Sequence, residues 1–249
     1  MIPRTLFSSD HETFRDTVRK FLENEAVPHH EEWEQTGQVP KELWRKAGEQ
    51  GFLCPMVSEE YGGIDADFLY SVVVSEEISR AGLTGIGWGL HTEIVAPYIE
   101  HYGSEEMKQR LLPKMVSGEL IGAIAMSEPG AGSDLQGVKT TAKKDGNHYV
   151  ISGSKTFITN GQHANLIIVV AKTDPSAGAR GTSLFVVETE EVEGFRRGRN
   201  LDKVGLKAQD TSELFFDAVR VPADALPGPA EGQCRSPIPL RLCRPTSRR

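Results

Sequence analysis

The sequence predicts an α+β protein, with an N-terminal all-α helical domain followed by a small antiparallel β-barrel or sandwich domain. Three observations predict it. From about Ser9 to Leu120, apolar residues recur at three-to-four-residue spacing among charged ones. After Gly118 the chain changes to short β-prone runs separated by Gly, Asn, Asp and Pro. The 249 residues, 38% hydrophobic and 25% charged, are enough for two modest domains that each bury a core.

Phe14, Val18, Phe21 and Leu22 mark one face of a first helix, with Ser8, Ser9 and Asp10 as candidate N-caps. Pro40 opens a second helix carrying Leu43 and Ala47, and Gly51 is placed to close it. Phe68, Leu69, Val72, Val73 and Ile78 form a third apolar stretch, and Trp88 to Glu100 a fourth. Gly82, Gly85, Gly87 and Gly89 crowd the approach to the fourth. That crowding suggests either a flexible connector or a need for space, since glycine weakens a helix by about 1 kcal/mol. Ser104, Glu105 and Glu106 start another helix, with acids at its positive end and Met107, Leu111, Leu112 and Met115 along it. Beyond Gly118, the runs IGAIAM, GVKTTAKK, HYVISGSKTFIT, LIIVVAK, TSLFVVE and SELFFDAVRV read as strands. The domains are therefore expected at residues 1–120 and 121–222, followed by a Pro/Arg-rich tail at 223–249. Residues 229–249 hold five arginines against one acidic residue, four prolines and no helical or strand period. They read as a disordered basic tail rather than a nucleic-acid-binding one.

Composition narrows the function. A net charge of −7 argues against nucleic acid as a partner. No apolar run is long enough to span a bilayer. The N-terminus has neither an apolar signal core nor an Arg-rich, acid-poor transit stretch, so the expected address is the cytoplasm. Cys54, Cys234 and Cys243 lack C-x-x-C spacing and read as ordinary thiols, and no metal is called for.

Two stretches carry chemistry. Ala125-Met126-Ser127-Glu128-Pro129-Gly130-Ala131-Gly132-Ser133-Asp134-Leu135-Gln136-Gly137 follows a strand as a Gly-rich loop. Its small residues let backbone N–H groups approach a ligand, and Ser127, Ser133 and Asp134 add polar contacts. No G-x-G-x-x-G opens a helix here, which excludes a dinucleotide fingerprint of the Rossmann kind. In Lys155-Thr156-Phe157-Ile158-Thr159-Asn160-Gly161, Phe157 offers an aromatic face to a planar cofactor and Thr159 a hydrogen bond to its edge. Asn160-Gly161 is a hairpin signal. Taken singly, the first stretch is a plain turn and Phe157 a core residue.

Together they resemble the acyl-CoA dehydrogenase family, looking most like its long-chain branch. The first stretch fits the family signature at every constrained position, and the second fits its W/F-I-T-N-G segment. Gly51-Phe52-Leu53, Glu60-Tyr61-Gly62-Gly63, Gly103-Ser104, the block Leu201 to Thr211 and Val219-Arg220-Val221-Pro222 also agree. The resemblance covers about residues 5 to 228. It implies FAD as cofactor, with Ile124, Ala125, Met126, Ser127, Gly132 and Ser133 running along it and Phe157, Ile158 and Thr159 packing against the other part of its ring. Ser133 would also face the substrate. Ile124 stands where the family often has an aromatic, and Phe157 where Trp is frequent.

The implied reaction is α,β-dehydrogenation of a fatty acyl-CoA, with electrons passed to an electron transfer flavoprotein and a homotetramer as the family assembly. A glutamate removes the α-proton while a hydride leaves the β-carbon for the flavin. In the family that glutamate lies in a C-terminal helical bundle. Here the family pattern gives way after Leu226 to a tail such as a shifted reading frame would produce. The resemblance therefore implies no catalytic base among these residues and impaired turnover. The alternative is a non-catalytic module that binds flavin or acyl-CoA, or a partner of a full-length subunit. In the family, residues near the glycine-rich approach lie at the base of the acyl pocket, which implies a pocket for medium or long chains.

Overall fold

The computed structural model describes residues 5–225. Helices fill the first half: α1 (Ser9–Glu25), α2 (His30–Thr36), α3 (Lys41–Glu49), α4 (Phe68–Arg80), α5 (Ala96–Tyr102) and α6 (Glu105–Val116). Local chemistry sets their ends. The Ser8 hydroxyl accepts from His11 N–H, and the Ser8 N–H donates back to the His11 ring, so a histidine completes the capping box. Asp67 and Ser104 cap α4 and α6. Gly51, at φ +72°, closes α3 with the paired bonds of a left-handed stop, Gly51 N–H to Gly48 O at 2.9 Å and Phe52 N–H to Ala47 O at 3.0 Å. Gly82, at φ +70°, closes α4 in the same way.

The fourth apolar stretch is helical but irregular. Residues Leu90–Val95 form a π-helical turn ahead of α5, with Ala96 N–H bonded to His91 O five residues back. Pro97 has no N–H for the carbonyl of Glu93, which favours this widened turn.

Seven strands follow: β1 (Gly122–Ala125), β2 (Thr141–Asp145), β3 (His148–Thr159), β4 (Leu166–Lys172), β5 (Thr182–Glu188), β6 (Phe195–Asn200) and β7 (Thr211–Pro222). They form one sheet in the order β1-β4-β2-β3-β7-β6, with β5 on β4. The expected β-domain is present, but its sheet is mixed, because β1 runs parallel to β4 and β2 makes one parallel pairing with it. Asn160-Gly161 is not a hairpin turn: β3 pairs with β2 and β7, while β4 pairs with β1, β2 and β5. Strand β6, FRRGRN, escapes sequence reading because its arginines hide any apolar alternation.

The core has three parts. Val18, Leu22, Trp44, Phe52 and Trp88 centre the helical one. Ala123, Ala125, Ile167, Val169, Phe185 and Leu214 centre the β one. Between them, Ile124, Leu166, Ile168 and Val186 on the other face of the sheet pack against Ile99, Leu111, Leu112 and Met115. Strand β4 is therefore covered on both faces, which explains why LIIVV is continuously apolar rather than alternating. Ala223–Ala225 make a 3₁₀ turn, with Ala225 buried against the β core. The rest of the expected tail lies outside the described residues.

Candidate functional site

The two motif stretches meet in space. Strand β1 ends at Ala125, and the Gly-rich loop leaves it alongside β3. Thr156 N–H donates to Ser127 O at 2.9 Å, which ties the loop to the strand. Glu128 and Ala131 exchange two backbone bonds of 3.0 Å across Pro129-Gly130, closing a tight turn.

A buried ion pair anchors this arrangement. The Lys155 ammonium is 1% exposed and donates to Glu128 Oε1 at 2.9 Å and to Met126 O at 3.0 Å. The Thr140 hydroxyl and N–H also donate to Glu128 Oε1, and Lys139 N–H donates to Oε2 at 2.7 Å. Burial alone would raise the Glu128 pKa. The donors from Thr140, Lys139 and Lys155 outweigh it and hold the carboxyl below its ordinary value. Burial lowers the Lys155 pKa, against the pull of Glu128. Glu128 is thus a fixed carboxylate with every near donor engaged, not a free base. Glu213 stands half-buried on β7.

Next to this anchor β3 bulges. Lys155 pairs with Leu214 and Ile158 with Ser212, so Thr156 and Phe157 together oppose Glu213 alone. The bulge holds Phe157 at φ +59° with its ring 68% exposed. A large aromatic in left-handed backbone costs about 1–3 kcal/mol and is retained where the surroundings over-determine it. Ile158 points the other way, into the β core, so only its backbone is on offer at this face. Thr159 is half-buried.

The remaining expected residues divide in two. Ile124 and Met126 face the helices, and Ala125 faces the β core. Ser127 is half-buried, while Gly132 and Ser133 are exposed on the loop. A Cβ at Gly130 or Gly132 would meet nothing within 4 Å, so open space adjoins the loop. An exposed, strained aromatic, an open glycine loop and the hydroxyls of Ser127, Ser133 and Thr159 suit a planar ligand with polar edges.

Sequence reasoning missed the residues that hold this face to the helices. Asn160, 1% exposed at φ +62°, donates from Nδ2 to Gly87 O and Gly122 O, both at 3.1 Å. A Cβ at Gly87 would lie 2.1 Å from Asn160 Oδ1, and one at Gly85 would lie 2.2 Å from Ala208 Cβ. These two glycines of the crowded approach therefore serve close packing of the two halves. Asp210, in the Leu201–Thr211 block, accepts from Gln162 N–H at 2.6 Å and stiffens the turn after β3. His91, in the π-helical turn, is wholly buried. Its Nδ1 accepts from Gly122 N–H at 3.0 Å and its Nε2 donates to Met115 O at 3.0 Å. Burial lowers its pKa to about 4, so it is a neutral core histidine. Asn160 carries a signal in its αL-tolerant Asn-Gly pair, and Gly85 and Gly87 carry one in their crowding, whereas His91 carries none.

Among the described residues no helix is long and apolar enough to cross a membrane, and no group of three or more His, Cys, Asp or Glu is placed to hold a metal ion. Known proteins resemble this chain over both halves. The model of the acyl-CoA dehydrogenase N-terminal domain matches residues 8–119, and that of the middle domain matches residues 123–219. The long-chain specific acyl-CoA dehydrogenase of Sus scrofa, described as mitochondrial, is 54% identical over 227 residues, covering 90% of this chain and 53% of that protein. The chain thus spans about half the length of the curated relatives it matches. An acyl-CoA dehydrogenase from Geobacillus kaustophilus superposes with a TM-score of 0.88 at 56% identity, covering 91% of this chain and 60% of that one. The acyl-CoA dehydrogenase from Bacillus anthracis complexed with FAD superposes at 0.81 and 37% identity, covering 90% of this chain and 38% of that one. With both motif stretches assembled on one face and both domain models matched in order, the chain belongs to the acyl-CoA dehydrogenase family.

Proposed function

We propose that this chain supplies the flavin- and substrate-facing wall of an enzyme that dehydrogenates fatty acyl-CoA thioesters at the α,β position, with an electron transfer flavoprotein as acceptor. The observation that carries the reading is Phe157, an exposed aromatic fixed in strained backbone beside an anchored glycine loop. FAD, when bound, supplies the hydride acceptor. Phe157 would lie against its ring system, and Ser127 and Thr159 would hydrogen-bond its polar edges. Backbone along Ile124, Ala125, Met126, Gly132 and Ile158 would complete the contact, and Ser133 would face the acyl-CoA. The Lys155–Glu128 pair keeps the loop in register and moves no proton.

A base is needed at the substrate α-carbon, and Glu128 is committed elsewhere. We therefore assign the base to sequence outside the two matched domains, and expect the 249-residue chain alone to turn over slowly, since a general base contributes about 10²–10⁴ in rate. The test is an assay with acyl-CoA, saturating FAD and a dye acceptor, alongside titration of the chain with FAD by flavin fluorescence. Flavin binding with little turnover is the expected result. Family-like turnover would show that a base lies within these residues, and absence of any flavin binding would sink the assignment of Phe157. The engaged state of Glu128 also favours a second reading, a binding module without turnover, which predicts thioester binding but no dye reduction even when an acyl-CoA dehydrogenase C-terminal bundle is added.

A further inference from the structure

Strand β7 is flanked by two bulges at one residue. On one side Thr156 and Phe157 of β3 oppose Glu213. On the other, Gly198 and Arg199 of β6 do the same, because Arg197 pairs with Leu214 and Asn200 with Ser212. Gly198 suits the crowding there, since a Cβ would lie 2.6 Å from Phe215 Cε2 and 3.0 Å from Glu213 Cβ.

Arg197, at the start of the second bulge, reaches the turn that follows β3. Its Nε donates to Gly161 O at 3.2 Å, and its Nη2 donates to Ala164 O at 2.6 Å and to Thr189 Oγ1 at 3.1 Å. All three acceptors are neutral. Burial lowers the pKa of this half-buried guanidinium, against the pull of Glu190 and Asp210. A cation kept out of water and spent on carbonyls forms strong, directional bonds that fix the backbone it meets. Gln162 fastens the same turn to the same bulge, its Nε2 donating to Gly198 O at 3.0 Å and to Ser212 Oγ at 2.8 Å. The turn starts one residue after Thr159. Ile158 is locked in the β core and Phe157 in its own bulge, so slack in the turn would fall on Thr159.

We propose that Arg197 is a positioning residue for the cofactor, acting through the Thr159 hydroxyl. This rests on the reading of the Phe157 face as a flavin wall. A hydroxyl's hydrogen bond weakens steeply with misalignment, so a turn free to rock costs binding although the protein stays folded. The planar fork of arginine spans the carbonyls of Gly161 and Ala164 together, whereas the single ammonium of lysine reaches one of them.

The test titrates the 249-residue chain with FAD by flavin fluorescence, using Arg197→Met, Thr159→Val and the double variant. Each single change is expected to weaken binding about fivefold, and the double change no more than about fivefold. Independent effects would multiply to about twenty-five-fold. A role in stability alone would lower Tm and leave the flavin affinity of the folded protein unmoved. If Arg197→Met does not fold, Arg197→Lys goes through the same cycle. Its expected loss is about twofold, vanishing in the Thr159→Val background. Arg220→Met, which removes an exposed arginine at the far end of β7, is expected to leave affinity unchanged. Parent-like affinity in the Arg197 variants, multiplying effects, or an equal loss in Arg220→Met overturns the inference and leaves the flavin reading intact. Failure of the parent chain to bind FAD overturns both.

Discussion

On the proposed reading, Phe157 sets ligand binding against stability. Replacing it with glycine should relieve about 1–3 kcal/mol of backbone strain, offset by about 0.5–1 kcal/mol for glycine's greater freedom when unfolded. Phe157→Gly is therefore expected to raise Tm of the flavin-free protein slightly and to weaken FAD binding several-fold, as loss of an aromatic contact worth about 0.5–1.5 kcal/mol implies. A lower Tm would show that the bulge imposes no strain. Lys155→Met should do the opposite, leaving Glu128 buried without its cation at a cost of about 3–5 kcal/mol in urea unfolding. Because the Glu128 pKa is depressed in the folded state, its stabilising effect is present above the ordinary carboxyl range and fades as pH falls through the lowered value. The deficit of Lys155→Met should accordingly shrink in acid. The sequence offers an aromatic suited to a planar cofactor, and the family resemblance implies a flavin there. It did not show the left-handed Phe157, because the bulge is fixed by β7, which lies far along the chain.

Among elements, α1 and α4 are joined by more than their apolar faces. Glu77, 2% exposed on α4, receives Arg15 and Arg19 from α1 and Arg80 from its own helix. Burial would raise its pKa, but bonds from Arg19, Arg80 and Arg15 bring it down to about 2. A depressed carboxyl stabilises above its unfolded value and loses that effect as pH falls through its folded one. Glu77→Gln is therefore expected to cost roughly 3 kcal/mol near neutrality. The gap from the parent protein should close between pH 4.5 and about 2. A constant gap across that window would mean that the arginines act by packing alone. Helix periods and strand runs were readable because burial on one face imposes them. The Glu77 cluster was not, because a glutamate on a helix looks like any solvated residue until its partners are placed. The parallel β1–β4 pairing was hidden for a similar reason, since a fully covered strand shows no alternation to fix its direction or neighbours.

At the scale of the whole molecule, the helical and β halves share a middle layer of core, and Asn160 and His91 stitch across it. Asn160→Ala strips a donor from two carbonyls and should cost about 2–3 kcal/mol. Trp33, Trp44 and Trp88 all lie in the helical half, so their fluorescence reports that half alone. The variant is expected to lose the coincidence between tryptophan fluorescence and strand circular dichroism during unfolding, and coincident curves would place the coupling elsewhere. The order of the two halves could be read from the change in period, whereas their junction rests on single polar atoms and on glycines whose role appears only when the other half is packed against them. The stitching also has a hydrodynamic consequence. With Gly85 and Gly87 leaving no slack against Ala208 and Asn160, the two described halves are held tightly together at this junction. Backbone amides on both sides should then share one rotational correlation time in nitrogen relaxation, as a single tumbling body.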